Sequence, residues 1–136
     1  MHEREVCFIL GEGDCILWSD ASHSPVALPD SRARWETIWA QRARIVEIAH
    51  THPTGVASFS CVDETTMVAL DSALGRRLVY SVVTPQRMLR RTPGDDGPVE
   101  RLVDAEPWWA SLIRTASGIE PDALHCNERG PIRWRS

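Results

Sequence analysis

The segment from residue 45 to residue 63 constrains the fold of this chain more than any other. Residues 45–49 have strand character and run into His50-Thr51-His52-Pro53. Proline cannot donate to a central ladder, so the chain must turn there, and Gly55 eases that turn. Ser60 is a favoured helix N-cap, and Asp63 is the kind of acid that stabilises a first turn. The pattern predicts a strand, a loop and a helix whose start returns over the strand end.

Hydrophobic periodicity predicts strands and helices in loose alternation along the rest of the chain. Trp35, Ile38 and Trp39 fall at helical spacing and predict one apolar helix face. Residues 19–30 and 92–98 are rich in turn formers and are predicted to be loops, and the tail from Gly118 is predicted to be irregular. Beyond the segment above, the predicted strands are 5–10, 15–18, 78–83 and about 86–91, and the predicted helices are 31–44, 60–74 and 107–116. We therefore expect one α/β (α+β) domain over residues 1–136, a mixed β-sheet packed with helices.

Composition and charge narrow the class of protein. The chain has 136 residues and a net charge of −4, which fits one domain and does not favour nucleic-acid binding. It has no apolar run long enough to span a membrane, and its N-terminus lacks the features of a signal peptide, so we expect a cytoplasmic protein. Four cysteines without a C-x-x-C pair are expected to be reduced, with Cys7 and Cys15 as small core residues.

His50, His52 and Asp63 form the candidate metal site. Residues i and i+2 on a strand share a face, so both imidazoles can reach one ion. Two imidazoles and a carboxylate suit Zn²⁺ with a fourth position left for water. Fe²⁺ accepts the same ligands, whereas Mg²⁺ prefers oxygen. His-x-His alone is weak, and Ser-x-x-Asp alone is what a helix cap looks like; the joint spacing carries the prediction.

Other reactive residues are weaker candidates for a catalytic or metal-binding role. Cys61 lies close in sequence to both histidines, so a thiol hydrolase is conceivable, but a zinc site would already use both imidazoles. His2, His23 and His125 stand alone and are interpreted as surface or core residues.

The series His50-Thr-His52-Pro53…Ser60-x-x-Asp63 resembles the JAMM signature of the JAB/MPN metalloproteases, including the spacing between His52 and Asp63. The resemblance implies a cytidine-deaminase-like, MPN-type fold with one Zn²⁺ per chain. It also implies that a zinc-bound water attacks the carbonyl of a peptide or isopeptide bond. It covers about residues 1–92, and the C-terminal helix and tail, residues 93–136, match nothing in the family pattern.

The resemblance also implies two catalytic residues. Glu5, on the first predicted strand, would take a proton from the water and pass it to the leaving amine. The chain departs from the family there, because Phe8 stands near where a glycine is common, and Glu3 and Glu12 are alternative bases. Ser60 matches the serine that stabilises the oxyanion, although a role as helix cap alone is equally compatible with the sequence.

The chain resembles the compact prokaryotic branch of the family in two respects. We expect no helix before the Glu5 strand, and the sequence has no room for the insertions that grip ubiquitin in eukaryotic relatives. The implied substrates are ubiquitin-like or sulfur-carrier proteins, cut after a C-terminal glycine. An inactive MPN-like interaction module is one alternative. A RadC-type protein linked to DNA is another, because the Glu5 strand resembles that branch too. Arg87, Arg90 and Arg91 form a small basic cluster, although such clusters are usually solvated faces. The sequence does not indicate an oligomeric state.

Overall fold

The computed structural model describes residues 3–22 and 32–119. Within these ranges the chain forms a six-stranded mixed sheet and three helices, which confirms the predicted α/β (α+β) class. The strands are β1 (Val6–Gly11), β2 (Cys15–Ala21), β3 (Glu47–Thr51), β4 (Val79–Val83), β5 (Met88–Thr92) and β6 (Val99–Leu102), and the helices are α1 (Arg32–Ala40), α2 (Cys61–Leu74) and α3 (Trp108–Ala116). No helix in the described ranges is long and apolar enough to cross a membrane.

The sheet has the strand order β2-β1-β3-β4-β5-β6. Only β3 and β4 are parallel, and α2 connects them, as a parallel crossover requires. The other neighbours are antiparallel. In β3, His50 lies opposite Cys7 of β1 and Val82 of β4, so the histidine strand occupies the middle of the sheet.

Helices cover both faces of the sheet, because strand residues alternate between two apolar layers. On one face Phe8, Met88 and their neighbours pack against Trp109 and Ile113 of α3. On the other face strand residues such as Ile48 pack with residues of α1 and α2. Cys7 belongs to this second layer and is buried, as predicted. The α1 and α2 face is also the face that presents His50.

The predicted apolar face of α1 is buried only in part. Trp35 is 38% exposed and Trp39 is 54% exposed. The side of α1 that faces the protein buries Ile38 and Arg34, and the Arg34 guanidinium forms an ion pair with Asp20 at 3.2 Å. Helical spacing identified the helix, but a buried ion pair occupies part of the face expected to be apolar.

Several predicted boundaries need correction. Strand β2 continues to Ala21 through residues predicted to be a loop, α1 ends at Ala40, and Cys15 is exposed rather than in the core. Strand β6 was not predicted, because all four of its residues are exposed and show no alternation. His2, His23, His125, Cys126, Ser31 and the tail from residue 120 lie outside the described ranges.

Candidate metal centre

The end of β3 and the turn after it place the two histidines. His50 is the fourth residue of β3, and the His52 N–H donates to the Val83 carbonyl at 2.9 Å. Thr51 lies between them and is fully buried, whereas both imidazoles are half-buried. This alternation puts both rings on the same side of the strand, with centroids 4.7 Å apart.

The first turn of α2 places Asp63. The Ser60 hydroxyl accepts from the Asp63 N–H at 3.0 Å, and the Asp63 carboxylate accepts from the Ser60 N–H at 2.8 Å. This reciprocal capping box satisfies two amide groups that a helix start leaves unpaired. The cap holds the carboxylate in one orientation, so helix capping and metal binding are compatible roles for Asp63.

The three side chains converge to within the dimensions of a single metal site. The two Nε2 atoms of His50 and His52 are 3.0 Å apart. Asp63 Oδ2 lies 3.3 Å from the first and 3.4 Å from the second. Bonds of about 2.0–2.1 Å to a tetrahedral zinc ion separate neighbouring ligand atoms by about 3.3 Å. The donor set and its spacing therefore fit Zn²⁺ with three protein ligands.

The electrostatics of the cluster favour a positive charge at its centre. Burial alone would raise the pKa of the Asp63 carboxyl, but hydrogen bonds from His50, His52 and the Ser60 amide hold it well below its usual range. Burial lowers the pKa of His52, but its bonds to Asp63 and the Val56 carbonyl leave that pKa raised. Two imidazole nitrogens and a carboxylate oxygen at these distances repel one another unless protons or a cation lie between them.

Glu5 precedes β1 and lines the same cavity as the three candidate ligands. It is 7% exposed, and its backbone is held by Ser22, whose N–H donates to the Glu5 carbonyl at 2.9 Å. Burial raises the pKa of the Glu5 carboxyl despite the opposing effect of the two imidazoles. The alternative bases are elsewhere: Glu12 lies at the opposite end of β1, and neither it nor Glu3 lines the cavity.

The structure also places the other two residues considered in this segment. Ser60 lines the cavity, and because its oxygen accepts from Asp63, its hydroxyl proton can be donated elsewhere. Cys61 is exposed on the first turn of α2 and is not among the cavity residues. The thiol mechanism thus has no geometric support within the described residues.

Sequence reasoning missed a supporting contact beside His50. The Phe59 ring lies 6.3 Å from the His50 ring, and the Arg91 guanidinium carbon lies 4.8 Å from the centre of the Phe59 ring. Arg91 in turn bonds Glu64 on α2 at 2.7 Å and Glu100 on β6. Arg91 and Glu100 are far from His50 and Phe59 in sequence and belong to no local motif, so only the fold reveals this contact.

The same ion pairs change the interpretation of the basic cluster. Arg91 is paired with two acids, and Arg90 lies 3.2 Å from the carboxylate of buried Glu47. Two of the three arginines therefore have their charges balanced within the protein. This arrangement gives no support to a nucleic-acid surface there.

No protein-family model matches the chain, and no curated protein sequence has significant similarity to it. The resemblance to the JAB/MPN metalloproteases therefore stays a prediction that rests on the residues themselves and on their geometry.

Proposed function

We propose that this chain is a zinc-dependent metallopeptidase of JAMM type, in which His50, His52 and Asp63 hold one Zn²⁺. One observation carries the proposal: the three ligand atoms lie within 3.4 Å of one another, although Asp63 is on a different element from the histidines. Three protein ligands leave a fourth position open, which is typical of catalytic rather than structural zinc.

The residues around the ligands supply the remaining chemistry. A zinc ion held by His50, His52 and Asp63 would supply an activated water as the nucleophile at neutral pH. The Glu5 carboxylate accepts the proton that water loses and transfers it to the amine nitrogen as the C–N bond breaks, while the hydroxyl joins the carbonyl carbon. The Ser60 hydroxyl donates a hydrogen bond to the carbonyl oxygen as negative charge develops there.

The burial of Glu5 supports its role as base. A carboxylate whose pKa is raised by burial accepts a proton from water more readily than an exposed one. Glu5 also lines the same cavity as His50 and Asp63, which supports a role beside the metal. A solvated acid at a strand start would have neither property.

The substrate class follows from the resemblance alone. We propose a ubiquitin-like or sulfur-carrier protein, cleaved near its C-terminus at a peptide or isopeptide bond. An inactive MPN-like module, which binds partners without cleaving them, is the alternative that the first experiment must separate.

The test begins with metal analysis of the purified full chain. We expect about one zinc per chain, lost in His52→Ala and retained in the matched control His125→Ala.

The second step is hydrolysis of C-terminal extensions on ubiquitin-like and sulfur-carrier proteins. We expect Glu5→Gln to abolish cleavage while keeping zinc, and Glu3→Gln to leave both unchanged. No zinc in the wild type, or zinc that His52→Ala does not remove, contradicts the metal site. Zinc without any hydrolysis favours the inactive module.

A further inference from the structure

A cavity of about 500 Å³ extends from the candidate metal centre into the space between the sheet and helices α1 and α2. Glu5, His50, His52 and Asp63 line it at the metal centre. Small-molecule and substrate pockets typically have volumes of about 300–1,000 Å³, so the cavity is large enough to take a side chain.

The walls away from the metal are largely apolar. Ile38, Ile48, Met67 and Leu70 line the cavity and are each less than a tenth exposed. Trp35 of α1 also lines it and is partly exposed. These side chains come from α1, β3 and α2, so three separate elements build the apolar wall.

Two polar residues of this wall, Tyr80 and Arg34, already have partners. The Tyr80 hydroxyl donates to the Asp71 carboxylate at 2.7 Å, so the ring lines the cavity while its polar end is bonded. The Arg34 guanidinium is paired with Asp20 at 3.2 Å. A polar or charged side chain entering here would lose water without gaining a matched partner, whereas an apolar one would gain from burial.

We propose that the site prefers polypeptides with a large apolar side chain, such as Leu or Phe, next to the scissile bond, and that this side chain occupies the cavity. The inference rests on the proposed peptidase function and deepens it by naming a substrate class. A glycine at that position has no side chain to fill the cavity. In a tail that is cut after glycine, the residue that follows the scissile bond must therefore supply the apolar side chain.

The test uses the zinc-loaded full chain and fluorogenic peptides that share one backbone and carry Leu, Phe, Gly or Asp on either side of the scissile bond. Burial of one such side chain predicts a kcat/KM on the order of 10- to 100-fold higher for Leu or Phe than for Gly. Met67→Trp fills the cavity and should bring the ratio of Leu to Gly close to one. Val68→Trp, a neighbour that is 69% exposed and does not line the cavity, is the matched control and should keep the ratio.

Two further measurements keep the outcome decisive if Met67→Trp does not fold. Trp35→Ala removes a partly exposed part of the wall and should lower the ratio several-fold. Binding of uncleaved Leu and Gly peptides to Glu5→Gln, followed by fluorescence polarisation, should show the same preference. Equal cleavage of Leu and Gly peptides overturns this inference and leaves the peptidase proposal standing. If the Leu peptide binds more tightly than the Gly peptide but the wild type cleaves neither, the cavity assignment stands and the peptidase proposal is contradicted. If there is no cleavage and no preferential binding, both proposals are overturned.

Discussion

Thr51 and Ser117 share a buried hydrogen bond, with their hydroxyl oxygens 3.0 Å apart. Ser117 donates its own proton to the Arg4 carbonyl, so Thr51 is the donor to Ser117. Thr51 in turn accepts from the Val6 N–H at 2.9 Å, and the Arg4 N–H donates to the Ser117 carbonyl at 2.9 Å. The residues on both sides of Glu5 are therefore fixed by the histidine strand and by the residue after α3.

Under the proposed mechanism, this network predicts that Thr51→Val and Ser117→Ala act on proton transfer by Glu5 rather than on zinc binding. Each leaves buried polar groups without a partner, at a cost of about 1–3 kcal/mol in the free energy of unfolding. We expect kcat to fall, zinc affinity and KM to change little, and the limb of the pH–rate profile that reports Glu5 to shift. The control is Thr115→Val, at an exposed site near the end of α3. Because a purely structural role would also lower the free energy of unfolding, the decisive measurements are kcat and the pH profile. If both stay unchanged in both variants, a role in positioning Glu5 is contradicted.

The two functions of the α2 start can be separated by substitution. Ser60→Ala removes the acceptor for the Asp63 N–H and should lower the free energy of unfolding by about 1 kcal/mol, as measured by urea denaturation. Its zinc content should stay at that of the wild type. Asp63→Asn keeps an oxygen that can accept from the Ser60 N–H but removes the charge. Its zinc affinity should fall by more than about 100-fold in a competition assay with a chelator. Wild-type affinity in Asp63→Asn would remove Asp63 from the ligand set.

Stabilisation by zinc should increase with pH, because protons and metal compete for the same imidazoles. In the metal-free protein the pKa of His52 lies above its ordinary value of 6.5. Protonated His52 therefore stabilises the metal-free fold below that value, and this contribution is lost as pH rises through the raised pKa. We expect the gain in Tm on adding zinc to be small near about pH 5.5 and to grow through about pH 7.5. His52→Gln should abolish the gain, and a gain independent of pH would contradict the imidazole ligands.

Thiol reactivity should distinguish the described cysteines. Burial raises the pKa of the Cys7 thiol to about 12, whereas Cys15 and Cys61 are exposed. Because the thiolate is the reactive form, iodoacetamide at about pH 8 should modify Cys15 and Cys61 first. Cys7 should react only after unfolding in guanidinium, and peptide mass spectrometry reports each site. Equal labelling of Cys7 in the folded protein would contradict its place between the sheet and α1.

The sequence by itself determined the segment that carries the candidate ligands. Strand alternation places His50 and His52 on one face, Pro53 ends the strand, and Ser60 with Asp63 caps the helix that follows. Each of these effects acts within a few residues, so the unit from β3 to α2 could be predicted in type and nearly in its boundaries. The end of α2 at Gly75, which adopts a left-handed conformation, follows the same local logic.

Only the tertiary structure decided what surrounds that segment. The pairing of β1 with β3 brings Glu5 to the candidate metal centre and leaves Glu12 at the other end of the strand. Docking of α1 and α2 on the sheet creates the apolar cavity and places Arg34, rather than both tryptophans, towards the interior. The bond between Thr51 and Ser117 joins residues 66 positions apart. Contacts of this range depend on how whole elements pack, and no local pattern of residue types encodes that packing.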